Sequence, residues 1–246
     1  MSQIFAKFSQ AIADGRLIGL ATILAGPLAG RKLLIYPDGT TTGSIEEGLV
    51  NTEGLDVVIA AKAHERLISQ KSERIQVAHG TETLDVFIEI HAPPPRLIVV
   101  GAVHIAIHLA TMAKPLGFYT IVVDARSAFA TTERFPHVDR LITQWPADAL
   151  HELGIDESSC IVVLTHDEKL DNPALEVAVQ SPARYIGALG SKKTHAKRVA
   201  NLKNVGITDE QIARIHAPIG LDLGGRKPEE IAVSIIAQIV QVRNQG

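Results

Sequence analysis

A single cysteine, Cys160, stands in a chain of 246 residues. One thiol cannot make an internal disulfide or a cysteine-rich zinc site. Its place inside the apolar run CIVVL reads as a core thiol, the usual fate of a free cysteine. Aromatic residues are also scarce, at 4%. The apolar content is instead Ala, Ile, Val and Leu, which suits helices packed on a parallel sheet. No run approaches the roughly 18 consecutive apolar residues that a membrane span requires. The first ten residues alternate polar and apolar, without the apolar h-region of a secretory signal, so the expected location is cytoplasmic. Strong charge of one sign is missing as well: the net charge of −3 argues against wholesale nucleic-acid binding. What remains, 46% hydrophobic and 21% charged residues, is the balance of a folded globular protein with one large or two ordinary domains.

The clearest boundary is Pro93-Pro94-Pro95, a stretch without backbone donors that reads as a stiff linker. It divides the chain into residues 1–92, the linker 93–95 and residues 96–246. The first part reads as a small α+β domain. A helix is expected over about 4–14, stopped by Gly15, with strands over 17–25 and 32–36 and a turn at Pro37-Asp38-Gly39 before a strand at 40–42. Ser44 is placed to cap a helix starting near Ile45, with Glu47 at the capping-box position and an interruption at Gly54. Val57, Val58, Ala61, Leu67 and Ile68 then keep an apolar face at helical spacing. Strands near 75–78 and 84–90 complete the domain.

The second part alternates. Strands are expected at 97–100, 119–123, 139–143, 160–165 and 184–188, and helices at 103–114, 169–179, 191–203 and 228–242. Strands alternating with helices imply a Rossmann-like, doubly wound parallel α/β sheet. Its first unit has the outline of a nucleotide-binding βαβ motif. Gly101 ends the first strand, and Asp124 ends the second at close to the roughly 20-residue spacing of a ribose-binding acid. The middle glycine of the fingerprint is missing, because Val103 occupies its position.

In such a sheet ligands bind outside the carboxyl ends of the strands. The tips there are Gly101-Ala102-Val103-His104, Asp124-Ala125-Arg126, Thr165-His166-Asp167 and Gly187-Ala188-Leu189-Gly190-Ser191. Asp124 reads either as a local cap or ion pair, or as an acceptor for ligand hydroxyls; Arg126 reads as its partner or as a phosphate ligand. Residues 177–208 contain no acid but carry Arg184, Lys192, Lys193, His195, Lys197, Arg198 and Lys203. Cations near the start of a helix oppose its dipole. An anion on the free N–H groups after Ser191 would resolve the conflict, with Gly187 and Gly190 leaving room for it and Ser191 and Thr194 offering hydroxyls. The bland alternative is a solvated helix face with Lys197 and Arg198 in water. His104, His166, His195 and His216 with Asp167, Asp171 and Asp222 have no metal-binding spacing, so no metal site is assigned. No nucleophile signature assigns a catalytic residue either. The turn-rich stretch from His216 to Asp222, followed by Gly224 and Gly225, reads as a lid or a partner surface.

The strings THDEKLDNPAL, YIGALGSKKTHAKR, ARIHAPIGLDLGGRKPEEIAVSIIAQIV and FATTERFPHVD resemble the C-terminal domain of the xanthine dehydrogenase accessory factor family (XdhC/CoxI), and RKLLIYPDGTTTGSIEEGL resembles its N-terminal domain. The resemblance implies a factor that binds the molybdenum cofactor (molybdopterin), protects it, supports its sulfuration and passes it to a xanthine dehydrogenase-type molybdenum hydroxylase apoenzyme. A sulfurase partner and a homodimer are implied too. Carried over by position, the cofactor-facing residues are Gly101, His104, Asp124, Arg126, His166, Asp167, Gly190, Ser191 and Lys192. The chain departs from the family pattern at Val103 for a glycine, Glu168 for a second histidine and Leu49 for a cysteine. Without that thiolate, direct metal ligation through the segment is excluded. Two other readings remain at this stage: an NAD(P)-dependent oxidoreductase, and a module that docks a partner enzyme without any small ligand.

Overall fold

The computed structural model describes residues 3–48, 54–80 and 82–245. The chain divides into two compact units, Met1–Pro93 and Pro94–Gln245. In the first, α1 (Gln3–Ala13) precedes β1 (Ile18–Ile23), β2 (Lys32–Ile35), β3 (Thr41–Gly43), α2 (Leu55–Ser69), β4 (Glu73–His79) and β5 (Glu82–His91). The strands form one antiparallel sheet in the order β3-β2-β1-β5-β4. Helix α2 covers it, burying Leu55, Ile59, Ala63 and Leu67 at a spacing of four.

Two expectations for this unit fail. No helix forms over 45–48, where the Ser44 hydroxyl donates to Asp56 and the Asp56 carboxylate takes the Ile45 N–H. An acid distant in sequence outcompetes the local capping pattern, and the helix begins only after Gly54, whose φ of +97° suits glycine. The apolar face is also a different one: Val57, Val58 and Ile68 are exposed, and of the five residues expected to form the face only Leu67 is buried. Helix α2 is apolar on more than one side, so periodicity alone could not choose between the faces. The expected departure at Leu49 lies outside the described residues.

The second unit runs β6 (Arg96–Val100), α3 (His104–Ala113), β7 (Tyr119–Val123), β8 (Arg140–Ile142), α4 (Pro146–Leu153), β9 (Ser159–Val163), α5 (Glu168–Gln180), β10 (Tyr185–Ala188), α6 (Lys192–Asn204), α7 (Asp209–Ala213), β11 (Ile215–His216) and α8 (Pro228–Gln245). Its six strands are all parallel, in the order β11-β10-β9-β6-β7-β8. This is the doubly wound sheet expected from the alternation. The central strands are buried on both sides because alternate residues enter different layers. Ile98 and Val100 pack with α4 and α5, while Leu97 and Val99 pack with α3 and α8. The chain leaves β6 toward β7 and β8, then returns by α4 to β9 on the other side of β6. The strand order therefore reverses between β6 and β9, which is where such sheets open a ligand crevice. Helices α4 and α7 and strand β11 go beyond the expected elements; all are short, and β11 is only two residues.

Candidate functional site

The turn after β6 is held by its neighbours on every side. Gly101 has φ of +111° and donates its N–H to the Val123 carbonyl at 2.8 Å. A Cβ there would lie 2.8 Å from Thr165 Cγ2 and 3.1 Å from the Thr165 nitrogen, so the tips of β6 and β9 touch. The next peptide is clamped at both ends. Ala102 N–H donates to Asp124 Oδ2 at 2.8 Å, and Ala102 C=O accepts from Arg134 Nη1 at 2.9 Å. Helix α3 then starts at His104, which is exposed, with Val103 as an extended N-cap residue. Among the described residues no side chain caps this helix, and its first turn holds no acid. Its leading N–H groups thus lack the side-chain acceptor that most helices provide. Val103 turns its side chain into the apolar layer beside α3.

Asp124 is fully buried, and its carboxylate is full. Oδ1 accepts the Arg126 N–H at 2.9 Å and Arg126 Nε at 2.9 Å; Oδ2 accepts Ala102 N–H and Arg126 Nη2 at 2.7 Å. Those four donors match the roughly four lone-pair positions of a carboxylate. Burial pushes the carboxyl upward, but the Arg126 guanidinium and the two amides outweigh it and hold the pKa below its ordinary value. Arg126 is raised in turn, chiefly by its hydrogen bond to Asp124, with Asp167 and Asp171 adding to it. Its guanidinium carbon lies 4.5 Å from the centre of the Phe129 ring. Arg134 flanks the same ring at 5.7 Å and donates to the Phe129 carbonyl at 2.8 Å.

At the tip of β9, His166 is exposed and takes φ of +61°, a left-handed conformation uncommon outside glycine. Asp167 caps α5 by accepting the Lys169 N–H at 3.0 Å. Below it, Thr165 donates to the buried Asp171, which also pairs with the buried Arg198 at 3.3 Å. Burial raises the Asp171 carboxyl despite Thr165 and Arg198.

The tip of β10 differs from expectation. Gly187 and Gly190 face packed side chains, not open space, in the direction a Cβ would take. A Cβ on Gly187 would meet Ile219 at 2.5 Å, and one on Gly190 would meet Thr194 at 3.1 Å. Ser191 caps α6 itself, accepting the Thr194 N–H at 3.1 Å. The acid-free run of cations finds acids elsewhere: Lys197 pairs with Glu168 at 2.6 Å and Lys203 with Asp209 at 2.5 Å. Arg198, which the alternative of a solvated helix face places in water, is buried. Lys192 and Lys193 are exposed at the start of α6.

The structure therefore brings Asp124 and Arg126 into direct contact, ties them through Ala102 to the Gly101 turn, and sets His104, His166 and Asp167 at the tips around the same reversal point. Gly190, Ser191 and Lys192 lie on the same edge but farther along. Tips of β7 and β10 are three strand spacings apart, about 15 Å. Phe129 and Arg134 were missed among the site residues, although both sit in the FATTERFPHVD segment. Among the described residues, no group of three His, Cys, Asp or Glu side chains is placed to hold a metal ion. Cys160 is buried, and burial pushes its thiol up to about 12.

A parallel six-stranded sheet reversing at β6/β9, with a glycine turn and an uncapped helix at the reversal, defines a Rossmann-type binding domain. Residues 97–239 match the family model described as the XdhC Rossmann domain. The chain belongs to the XdhC family. It is 34% identical over 178 residues to a Bacillus subtilis protein named as a probable xanthine dehydrogenase subunit, covering 72% of this chain and 52% of that protein. It is 33% identical over 99 residues to the "Molybdenum cofactor insertion chaperone PaoD" of Escherichia coli, covering 40% of this chain and 30% of that one. A crystal structure described as a xanthine dehydrogenase from Bacillus halodurans superposes with a TM-score of 0.70 at 27% identity, over 99% of this chain and 67% of its own. The chain spans about half the length, or less, of the curated relatives it matches. No helix among the described residues is long and apolar enough to cross a membrane.

Proposed function

We propose that this protein is a maturation factor that binds the molybdenum cofactor and passes it to a xanthine dehydrogenase-type apoenzyme, acting as a carrier and not as a catalyst. The observation that carries the reading is the β6/β9 reversal point in an XdhC domain, where α3 begins without a cap or an acid and Arg126 stands beside it. A phosphorylated pterin supplies the missing counter-charge, because helix N-termini and guanidinium groups are both natural phosphate ligands. The relative named as a molybdenum cofactor insertion chaperone supports the choice of cargo. The donor set suits the phosphate and pterin end of that cargo. It does not suit thiolate ligation of the metal, since Cys160 is buried and firmly protonated.

A nicotinamide cofactor is less well served. Ribose recognition needs a carboxylate with an oxygen to spare, and all four acceptor positions of Asp124 are taken by the chain itself. The decisive experiment is to co-express the chain with the cofactor-synthesis machinery, purify it, denature it in oxidant and record pterin fluorescence. Stoichiometric pterin is the expected result. No pterin after co-expression, together with no uptake of released molybdopterin in vitro, rejects the reading.

A further inference from the structure

We propose that Arg126 is the group that grips the phosphate of the ligand, at the place where dinucleotide-binding domains set an acid against a ribose, and that Asp124 and Arg134 are its positioning residues. The inference rests on the reading that this edge takes a phosphorylated small molecule, and it names the residue and the chemical class of the group that is held. It also accounts for the segment after β7, which the carrier role alone leaves unused.

Four observations carry it. Asp124 is turned inward and saturated, so at the tip of β7 the acid is not the exposed group. The exposed group is Arg126, whose side chain is 35% accessible and whose Nη1 has no hydrogen-bond partner among the described residues. Its direction is fixed, because Nε and Nη2 both rest on Asp124 and the guanidinium lies over Phe129. Finally, one Asp124 oxygen accepts both Arg126 Nη2 and Ala102 N–H, which brings the guanidinium next to the uncapped start of α3. A pre-aimed guanidinium beside open helix N–H groups matches a phosphate oxyanion, and a diol offers it no charge to neutralise.

Arg134 completes the arrangement from the far side. It bonds the Ala102 carbonyl and the Phe129 carbonyl with the same Nη1 and flanks the Phe129 ring. It thereby ties the glycine turn to the aromatic platform under Arg126. The competing anion site, the start of α6, is weaker on its own terms. Ser191 already accepts one of its leading N–H groups, and Thr194 fills the space beside Gly190.

The test titrates the full chain with inorganic pyrophosphate by calorimetry. We expect binding that weakens at least tenfold in Arg126→Gln, in line with the loss of a charge-assisted contact. Arg126→Lys keeps the charge without the fork and should fall between. Lys192→Gln should bind within twofold of the parent chain. Arg134→Met should weaken binding, and Arg134→Lys, which retains a donor for the Ala102 carbonyl, should restore most of it. A measurement on the unaltered chain guards against folding defects: pyrophosphate should shield Arg126 from phenylglyoxal, read by peptide mass. The proposal is overturned if the parent chain binds no pyrophosphate, if Arg126→Gln binds like the parent, or if Lys192→Gln carries the loss instead. The two readings separate cleanly. Arg126-dependent pyrophosphate binding in a chain that never acquires pterin sinks the cofactor role and leaves this site standing. Full pterin content in Arg126→Gln does the reverse.

Discussion

Replacing Gly101 by alanine should damage the C-terminal unit far more than the same change at Gly117. Both glycines have positive φ, +111° and +82°. The difference is what a methyl group meets. At Gly117 there is nothing within 4 Å, so alanine costs only the left-handed conformation, about 1–2 kcal/mol. At Gly101 it meets Thr165 Cγ2 at 2.8 Å, the Thr165 nitrogen at 3.1 Å and the Leu164 carbonyl carbon at 3.3 Å. The Thr165 methyl can rotate away, but the backbone cannot retreat cheaply. Leu164 N–H is bonded to the Val100 carbonyl, and β6 and β9 pair along their whole length in the middle of the sheet. Overpacking of this kind adds about 1–3 kcal/mol to the conformational cost. The gap between the two variants is then about 2 kcal/mol, or roughly 4–8 °C in melting temperature for a unit of this size. Trp145 is the only tryptophan in the chain and lies in the C-terminal unit, so its fluorescence follows that unit alone. Equal melting temperatures for Gly101→Ala and Gly117→Ala would refute the view that the tips of β6 and β9 are in contact.

Three further outcomes are expected. Asp124→Asn should cost about 1–2 kcal/mol in denaturant unfolding, less than a fully buried pair because Arg126 remains partly in water. Since the folded carboxyl lies below the ordinary 3.8, the stability it contributes is complete above that value and vanishes as pH falls through the lower folded one; the asparagine variant should lack this part of the acid limb. His195 and His216 are both held below 6.5, by burial first and for His195 also by Arg198. They favour folding above pH 6.5, and that contribution is lost as pH drops through their folded values, so a His195→Gln, His216→Phe double variant should flatten the melting-temperature profile between pH 7 and 5. Thr208→Ala should lose about 1 kcal/mol, because Thr208 and Gln211 form a complete capping box at the start of α7; an unchanged unfolding midpoint would show that this short helix is held by packing alone.

The C-terminal sheet was legible because its signal is strong. The run at β9 is buried at every residue, and such runs, short, rich in β-branched residues and separated by helical stretches of ordinary length, read as inner strands of a parallel sheet. The N-terminal unit was legible only in outline. Ser44 and Glu47 carry a local helix signal, and Asp56, a dozen residues later, cancels it by taking the Ser44 hydroxyl and the Ile45 N–H. The face of α2 was ambiguous for a related reason: Val57, Val58 and Ile68 are as apolar as Leu55, Ile59 and Leu67, and only the sheet beneath decides which set is covered. At the site, Gly101 and Asp124 announced themselves by spacing, while Arg134 did not, because its partners Ala102 and Phe129 are backbone carbonyls that any residue supplies. The cations of α6 misled by proximity in sequence. Their acids, Glu168, Asp171 and Asp209, lie on α5 and α7.

Asp124 is the sharpest case of a partner deciding what a motif residue does. A fingerprint that reads a glycine turn followed by an acid at the tip of the next strand locates that acid correctly, but it is silent about which way the acid faces. Here the answer lies two residues on. The chain bends at Ala125 just past β7, and the Arg126 N–H donates to Asp124 Oδ1, so the turn lays Arg126 back over the carboxylate of Asp124 with both Nε and Nη2 engaged. Closing it reverses the sign of the group offered to a ligand, from a buried anion to an accessible cation, without any change in the backbone. A long aliphatic residue at 126 would leave Asp124 with only the two amide N–H groups and reopen acceptor positions toward the crevice. Arg126→Leu is therefore expected to lose pyrophosphate and to gain measurable affinity for a ribose diol such as that of NAD. If that variant binds neither ligand while its melting curve is unchanged, Arg126 does not set the selectivity of the β7 tip.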